Sequence, residues 1–251
     1  MDKNLINQIE SYFTQQKELC MPDFILSNQL RAGKKKNRLN KRDLNSTYKS
    51  DNSHINNIYQ KKREALVELY YSCRNCTKCS LSFIRTNMVF GSGNANAELM
   101  IIGEAPGFEE DKQGKPFVGK AGELLTKMVG AINIDREKDA FITNILKCRP
   151  PENRNPNQQE EVACMPVLKM QIEIIQPKVI LVLGKIAANA LLNISESIGK
   201  IRVECHNYNN IPVVVTYHPA ALLRNKRYKR PAWEDLQKLK KKLNRKDRKN
   251  G

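Results

Sequence analysis

The sequence predicts an α/β fold: a three-layer α/β/α arrangement around a central, mostly parallel four-stranded sheet. Three observations predict it. Short apolar runs of strand length recur between residues 99 and 216, helix-length segments separate them, and each run is bounded by Gly, Pro, Asn or charged residues. A strand buried on both faces reads as continuous apolar text, and a helix between successive strands is the connection that parallel pairing uses.

Residues 1–30 carry a short amphipathic pattern, with Leu5, Ile6, Ile9 and Phe13 at helical spacing. Residues 31–57 have few large apolar side chains and many Lys, Asn and Ser, which reads as a disordered basic linker. The folded body is expected over 58–243, with a basic tail at 244–251. It opens with a helix over 61–71 (KKREALVELYY). Strands are expected at Leu99–Gly103, 141–145, Val179–Leu183 and Ile211–Thr216. Helices are expected at 121–132, Gln158–Ile175, Lys185–Leu192 and 233–242. Pro156 and Pro177 bracket the longest helix, because the residue before a proline is driven out of helical geometry.

Composition narrows the partners. Lys and Arg total 43 against 26 Asp and Glu, a formal net charge of +17 over 251 residues. A polyanion such as DNA or RNA is the partner this favours, although Lys-rich flexible ends produce the same imbalance. No segment approaches the roughly 20 apolar residues of a spanning helix. The first residues, MDKNLINQIESYF, hold acids and amides where a signal peptide needs an apolar core. A cytoplasmic protein is therefore expected, in which clustered cysteines bind metal more often than they pair as disulfides.

The seven cysteines lie at positions 20, 73, 76, 79, 148, 164 and 205. Cys76 and Cys79 have the two-residue spacing that lets both thiolates face one metal, and Cys148 and Cys164 supply two more. Four thiolates suit tetrahedral zinc or a four-iron cluster, and spacing does not separate them. Cys73 offers an overlapping pair with Cys76, and any of these thiols also serves as a small buried hydrophobe. In open parallel sheets, ligands bind beyond the carboxyl ends of the strands. Three expected strands end in polar or Gly-rich text: GEAPG, TNILKCRP and TYHPAALLR. Gly103 and Gly107 allow a close backbone approach and Glu104 supplies a carboxylate. Phe117 offers a flat ring, Asn144 a donor–acceptor amide, and His218 an imidazole. Each residue type also has an ordinary structural use, as core aromatic, loop cap or buried histidine.

Together these segments resemble the family 4 uracil-DNA glycosylases, the iron–sulfur branch of the uracil-DNA glycosylase superfamily. The matching text is CTKCSL, RTNMVFGSGNANAELMIIGEAPGFEEDKQGKPFVGKAGELL, FITNILKCRPPENRNP, CMPVL, PKVILVLGKIAANALL and TYHPAALLR, which covers nearly all of 73–233. The resemblance implies a uracil-DNA glycosylase fold and a [4Fe-4S] cluster on Cys76, Cys79, Cys148 and Cys164, with zinc as the alternative. It implies a monomeric, monofunctional enzyme that flips uracil out of DNA and hydrolyses the N-glycosidic bond. Uracil would lie against Gly103, Glu104 and Ala105, stack on Phe117 and be read by Asn144. His218 would stabilise the charge building on the leaving base. Glu104 would activate water, with Glu110 as second candidate, and Leu222 would enter the duplex. Arg224, Lys226, Arg227, Lys229 and Arg230 would hold phosphates. A binding-only metalloprotein and a glycosylase for another deaminated base, such as hypoxanthine, are the competing readings.

Overall fold

The computed structural model describes residues 47–244, with side chains from residue 58. The expected N-terminal helix around Leu5, Ile6, Ile9 and Phe13, Cys20, and residues 245–251 of the basic tail lie outside the described residues. The first helix, α1, covers Thr47–Cys73 and so begins within the stretch read as linker. The element order continues through β1 (Ser92–Gly93), β2 (Leu99–Gly103), α2 (Phe108–Gln113), α3 (Lys120–Gly130) and β3 (Ala140–Asn144). It then runs through α4 (Gln158–Ile175), β4 (Val179–Leu183), α5 (Lys185–Leu192), α6 (Ile198–Ile201), β5 (His206–Tyr208), β6 (Ile211–Thr216), α7 (Pro219–Arg224) and α8 (Lys229–Leu243).

The sheet has six strands in the order β1-β3-β2-β4-β6-β5, two more than the sequence suggests. The inner four are mutually parallel, and β1 and β5 pair antiparallel at the two edges. The edge strands escape sequence detection because they are Ser-Gly and His-Asn-Tyr, with no apolar run to mark them. Short polar edges also limit unwanted strand addition.

Side-chain alternation along the parallel strands divides the core into two layers. Met100, Ile102, Phe141, Ile180, Val182, Val213 and Val215 face one side, where Leu66 of α1, Leu168 and Ile172 of α4 and Leu191 of α5 cover them. Leu99, Ile101, Ile142, Leu181, Leu183 and Val214 face the other, beneath Leu125 and Val129 of α3 and Leu236 and Leu239 of α8. This is the expected α/β/α sandwich. Among the described residues no helix is long and apolar enough to cross a membrane.

Local chemistry fixes the helices that carry site residues. At the start of α4 the Asn157 side chain accepts from the Glu160 N–H at 2.8 Å, and Glu160 accepts from the Asn157 N–H at 2.9 Å. Arg154 then donates to both oxygens of the buried Glu160, at 2.7 and 2.9 Å. The far end stops at Gln176, left-handed at φ 48°, directly before Pro177. Behind β6, Arg202 donates to both oxygens of Asp235, at 2.9 and 3.0 Å, and to the Pro231 carbonyl at 2.8 Å. Tyr217 and Tyr228 stack at 4.3 Å beside it, so the segment after β6 is pinned to the body.

Asp235 is wholly buried and Arg202 nearly so. Replacing Asp235 with Ala strands a buried guanidinium, and we expect a loss of about 3 kcal/mol in unfolding free energy, measured by urea titration.

Candidate functional site

The carboxyl ends of β2, β3 and β6 converge. Gly103 and Asn144 are register partners at the ends of β2 and β3. A Cβ on Gly103 would collide with Asn144 Oδ1 and would stand 2.6 Å from Phe117 Cζ. Only a residue without a side chain lets the amide and the ring share this point. Phe117 is left-handed, at φ 54°, a strained state for an aromatic residue. Two neighbours hold it there. Gly122, in the first turn of α3, leaves room for the Phe117 carbonyl, which a Cβ would strike. Arg136 donates to that carbonyl at 3.1 Å, to the Pro116 carbonyl at 3.3 Å and to Thr126 Oγ1 at 2.9 Å. The Phe117 ring lies 5.7 Å from the His218 ring, tilted by 33°.

Asn144 is buried, yet its Oδ1 has no hydrogen-bond partner. An orphaned buried acceptor costs about 1–3 kcal/mol, which a ligand donor would recover. His218 caps α7, its Nδ1 accepting from the Ala220 N–H at 3.2 Å. Nδ1 is thereby the unprotonated nitrogen, and Nε2 carries the hydrogen of the neutral ring. Burial depresses His218 to about 4, Arg224 adds to this, and Glu110 opposes it. Burial also raises Glu104 above the usual carboxylate range, with Glu161 contributing. Ala105 is half-buried against the core.

Two expectations change. Glu110, read as a second catalytic carboxylate, is occupied by backbone: one oxygen accepts from the Val118 and Gly119 N–H groups at 2.9 and 3.1 Å, the other from Gly107 N–H at 3.2 Å. It braces the pocket loop. Leu222, read as the residue that enters the duplex, is packed in the core at 3 % exposure, while Leu223 beside it is 52 % exposed. The turn of α7 sets this: helical geometry turns neighbouring side chains about 100° apart, so Leu222 faces inward.

A cleft of about 460 Å³ opens beside the convergence, lined by Glu104, Lys185, Tyr217, His218, Arg224 and Tyr228, among others. Asn144 and Phe117 are not in its walls; His218 belongs to both the cleft and the buried group. Arg224, Lys226, Arg227, Lys229 and Arg230 are all exposed in the segment that follows.

Cys76, Cys79, Cys148 and Cys164 line one small cavity together with Arg85 and Lys147. Arg85 donates to the Cys148 sulfur at 3.1 Å and the Lys147 backbone N–H to the Cys164 sulfur at 3.3 Å. Burial raises the Cys164 thiol to about 11 against the pull of Lys147, and it raises Cys148 against Arg85. Cys73 is buried nearby, its sulfur 3.6 Å from the Tyr70 carbonyl and outside the cavity wall. Among the described residues no three Cys, His, Asp or Glu side chains gather closely enough to hold one metal ion. Lys147 is fully buried, and burial lowers it to about 8 while the neighbouring cysteines oppose that shift. Lys147, Arg136 and Arg85 were not singled out by sequence, since a lone Lys or Arg in a loop carries no periodic signal.

Comparison with known proteins adds to this geometry. The profile of the Uracil DNA glycosylase superfamily matches residues 90–237. A Type-4 uracil-DNA glycosylase of Saccharolobus solfataricus is 47% identical over 178 residues, 68% of this chain and 82% of the relative. One from Thermotoga maritima is 43% identical over 183 residues, 71% of this chain and 95% of the relative. A Type-5 uracil-DNA glycosylase of Pyrobaculum aerophilum is more distant, at 27% over 146 residues, 52% of this chain and 64% of the relative.

The His218 environment sets a pH dependence. Its folded value of about 4 lies below the ordinary 6.5, so between them the unfolded chain binds the extra proton. Stability is then expected to fall as pH drops through that window and to level off below it. Imidazole NMR checks the cause: His218 should remain neutral, with the proton on Nε2, at pH values where a free histidine is charged.

Proposed function

The chain belongs to the uracil DNA glycosylase superfamily, alongside its type-4 enzymes, and from that membership we propose that it removes uracil from DNA by hydrolysis of the N-glycosidic bond. The observation that carries this reading in the structure is the orphaned Oδ1 of Asn144, buried beside the Phe117 ring and facing the same point at Gly103. A pyrimidine stacked on Phe117 presents its N3–H to that acceptor and a carbonyl to the amide hydrogens, a pairing that uracil offers and cytosine does not.

The uracil is first extruded from the helix, because its glycosidic bond is not reachable within the stack. As the C1′–N1 bond breaks, its electron pair passes into the base, and negative charge builds on O2. The Nε2–H of neutral His218 donates to that oxygen; a low pKa is what keeps the ring a neutral donor rather than an acid. Water adds to C1′, and its proton passes to the Glu104 carboxylate, which directly follows β2 and lines the cleft with His218. No Lys side chain is needed as nucleophile, so the product is an intact abasic site. Arg224, Lys226, Arg227, Lys229 and Arg230 contact phosphates, and the exposed Leu223 takes the duplex-entering role expected of Leu222. The protein acts as a monomer on DNA containing uracil.

Cys76, Cys79, Cys148 and Cys164 hold a [4Fe-4S] cluster in this reading. Four sulfurs line one cavity, and four cysteine thiolates are the ligand set such a cluster takes. The Arg85 and Lys147 hydrogen bonds to sulfur supply the donors that thiolate ligands require. Such a cluster would tie residues 76–79 to the loop after β3 and to α4; the base chemistry does not pass through it.

A labelled oligonucleotide with one uracil tests the proposal. Strand cleavage should appear only after alkali treatment, and His218→Ala should slow excision by about a hundredfold to a thousandfold. Asn144→Ala should slow it by a similar amount. Absence of product from cluster-containing protein, on both U:G duplex and single strand, would overturn the reading.

A further inference from the structure

We propose that Lys147 is a positioning residue for base recognition: its buried ammonium fixes the carboxyl end of β3 and so aims the side chain of Asn144. The inference rests on the uracil-reading role given to Asn144 above. Lys147 has 0 % exposure, and an ammonium so placed is tolerated only when every hydrogen has an acceptor. Here all three do. Nζ donates to Thr143 Oγ1 at 2.6 Å, to the Asn144 carbonyl at 2.6 Å and to Gln171 Oε1 at 2.8 Å.

The strand needs this contact. The edge strand β1 pairs only with Phe141 and Ile142, so it offers no ladder partner to the Asn144 carbonyl. On the β2 side, the Ile145 and Leu146 N–H groups continue the pairing to the Gly103 and Glu104 carbonyls at 2.9 and 3.0 Å. The ammonium supplies what the short edge leaves out. Its acceptors are themselves anchored: Thr143 Oγ1 and Gln171 Nε2 both donate to the Phe90 carbonyl at 2.9 Å, which joins the chain before β1, the end of β3 and α4 in one network. Lys147 is held in turn at its own backbone, donating to the Cys164 sulfur at 3.3 Å and accepting from Val89 N–H at 2.8 Å. The cysteine cavity therefore reaches Asn144 through one residue.

A purely structural lysine and a positioning lysine differ in one measurable way. If Lys147 acts through Asn144, its removal costs rate only while the Asn144 amide is present. Single-turnover excision is measured for Lys147→Met, Asn144→Ala and the double variant, per folded protein that retains its visible cluster absorbance. Because a misplacement of about 1 Å can cost on the order of a hundredfold, Lys147→Met should slow the Asn144 enzyme roughly tenfold to a hundredfold. It should slow the Asn144→Ala enzyme by no more than about twofold. Equal slowing in both backgrounds overturns the proposal. Thr143→Val, which keeps the shape and removes one partner of the ammonium, carries the same test if Lys147→Met does not fold; it should show the same coupling at smaller size. The side-chain amide resonances of Asn144 decide the matter without activity. Displacement or broadening in Lys147→Met supports the role, and unmoved resonances overturn it. Should the unaltered protein leave uracil in place, the reading of function fails, while the resonances still decide the role of Lys147.

Discussion

The absence of a side chain at Gly103 is the constraint on which the site depends. Three strand ends and a loop deliver an amide, an aromatic ring and an imidazole to one region, and the first two meet where a Cβ would stand. Hydrogen-bonded register between β2 and β3 places Gly103 opposite Asn144, so the convergence follows from the sheet rather than from a flexible loop. The ring must then be brought in from the side. That requires Phe117 in the left-handed region, a conformation of about 1–3 kcal/mol that persists because Arg136 and Gly122 over-determine it.

The same preference for rigid support recurs around the pocket. Glu110 is held by three backbone amides and closes the loop between Gly107 and Gly119. His218 is locked as a neutral Nε2–H donor by the Ala220 amide at the start of α7. Fixed donors and acceptors stabilise a developing charge without reorganising, and this is the largest single contribution in many enzymes. The cysteine cavity and the buried Lys147 extend the scaffold on the far side of β3, while the Arg202–Asp235 pair secures the basic segment after α7.

Much of this was legible in the sequence, and the legible part has a common cause. The four buried strands announce themselves as apolar runs because both faces are covered, and the bounds of α4 are written in Pro156 and Pro177. Gly103, Glu104, Asn144 and His218 stand out in the sequence as a candidate site because they lie at or just beyond the ends of such strands. What escaped has no period. The edge strands β1 and β5 are too short and polar to signal, and the φ of Phe117 is set by Arg136, nineteen positions away. The occupation of Glu110 by backbone and the inward turn of Leu222 are tertiary facts, invisible to spacing. Lys147 illustrates the limit best: a loop lysine between two apolar residues and a cysteine reads as a surface charge until its three acceptors are seen.

In the proposed function, uracil is read where Gly103, Asn144 and Phe117 meet, with His218 on its O2. A crystal structure of the protein bound to DNA carrying an uncleavable uracil nucleotide tests it most directly. The extruded base should stack on the Phe117 ring, with its N3–H on Asn144 Oδ1 and its O2 facing His218 Nε2. A base lodged elsewhere in the cleft, with the Asn144 acceptor still unpartnered, would contradict it.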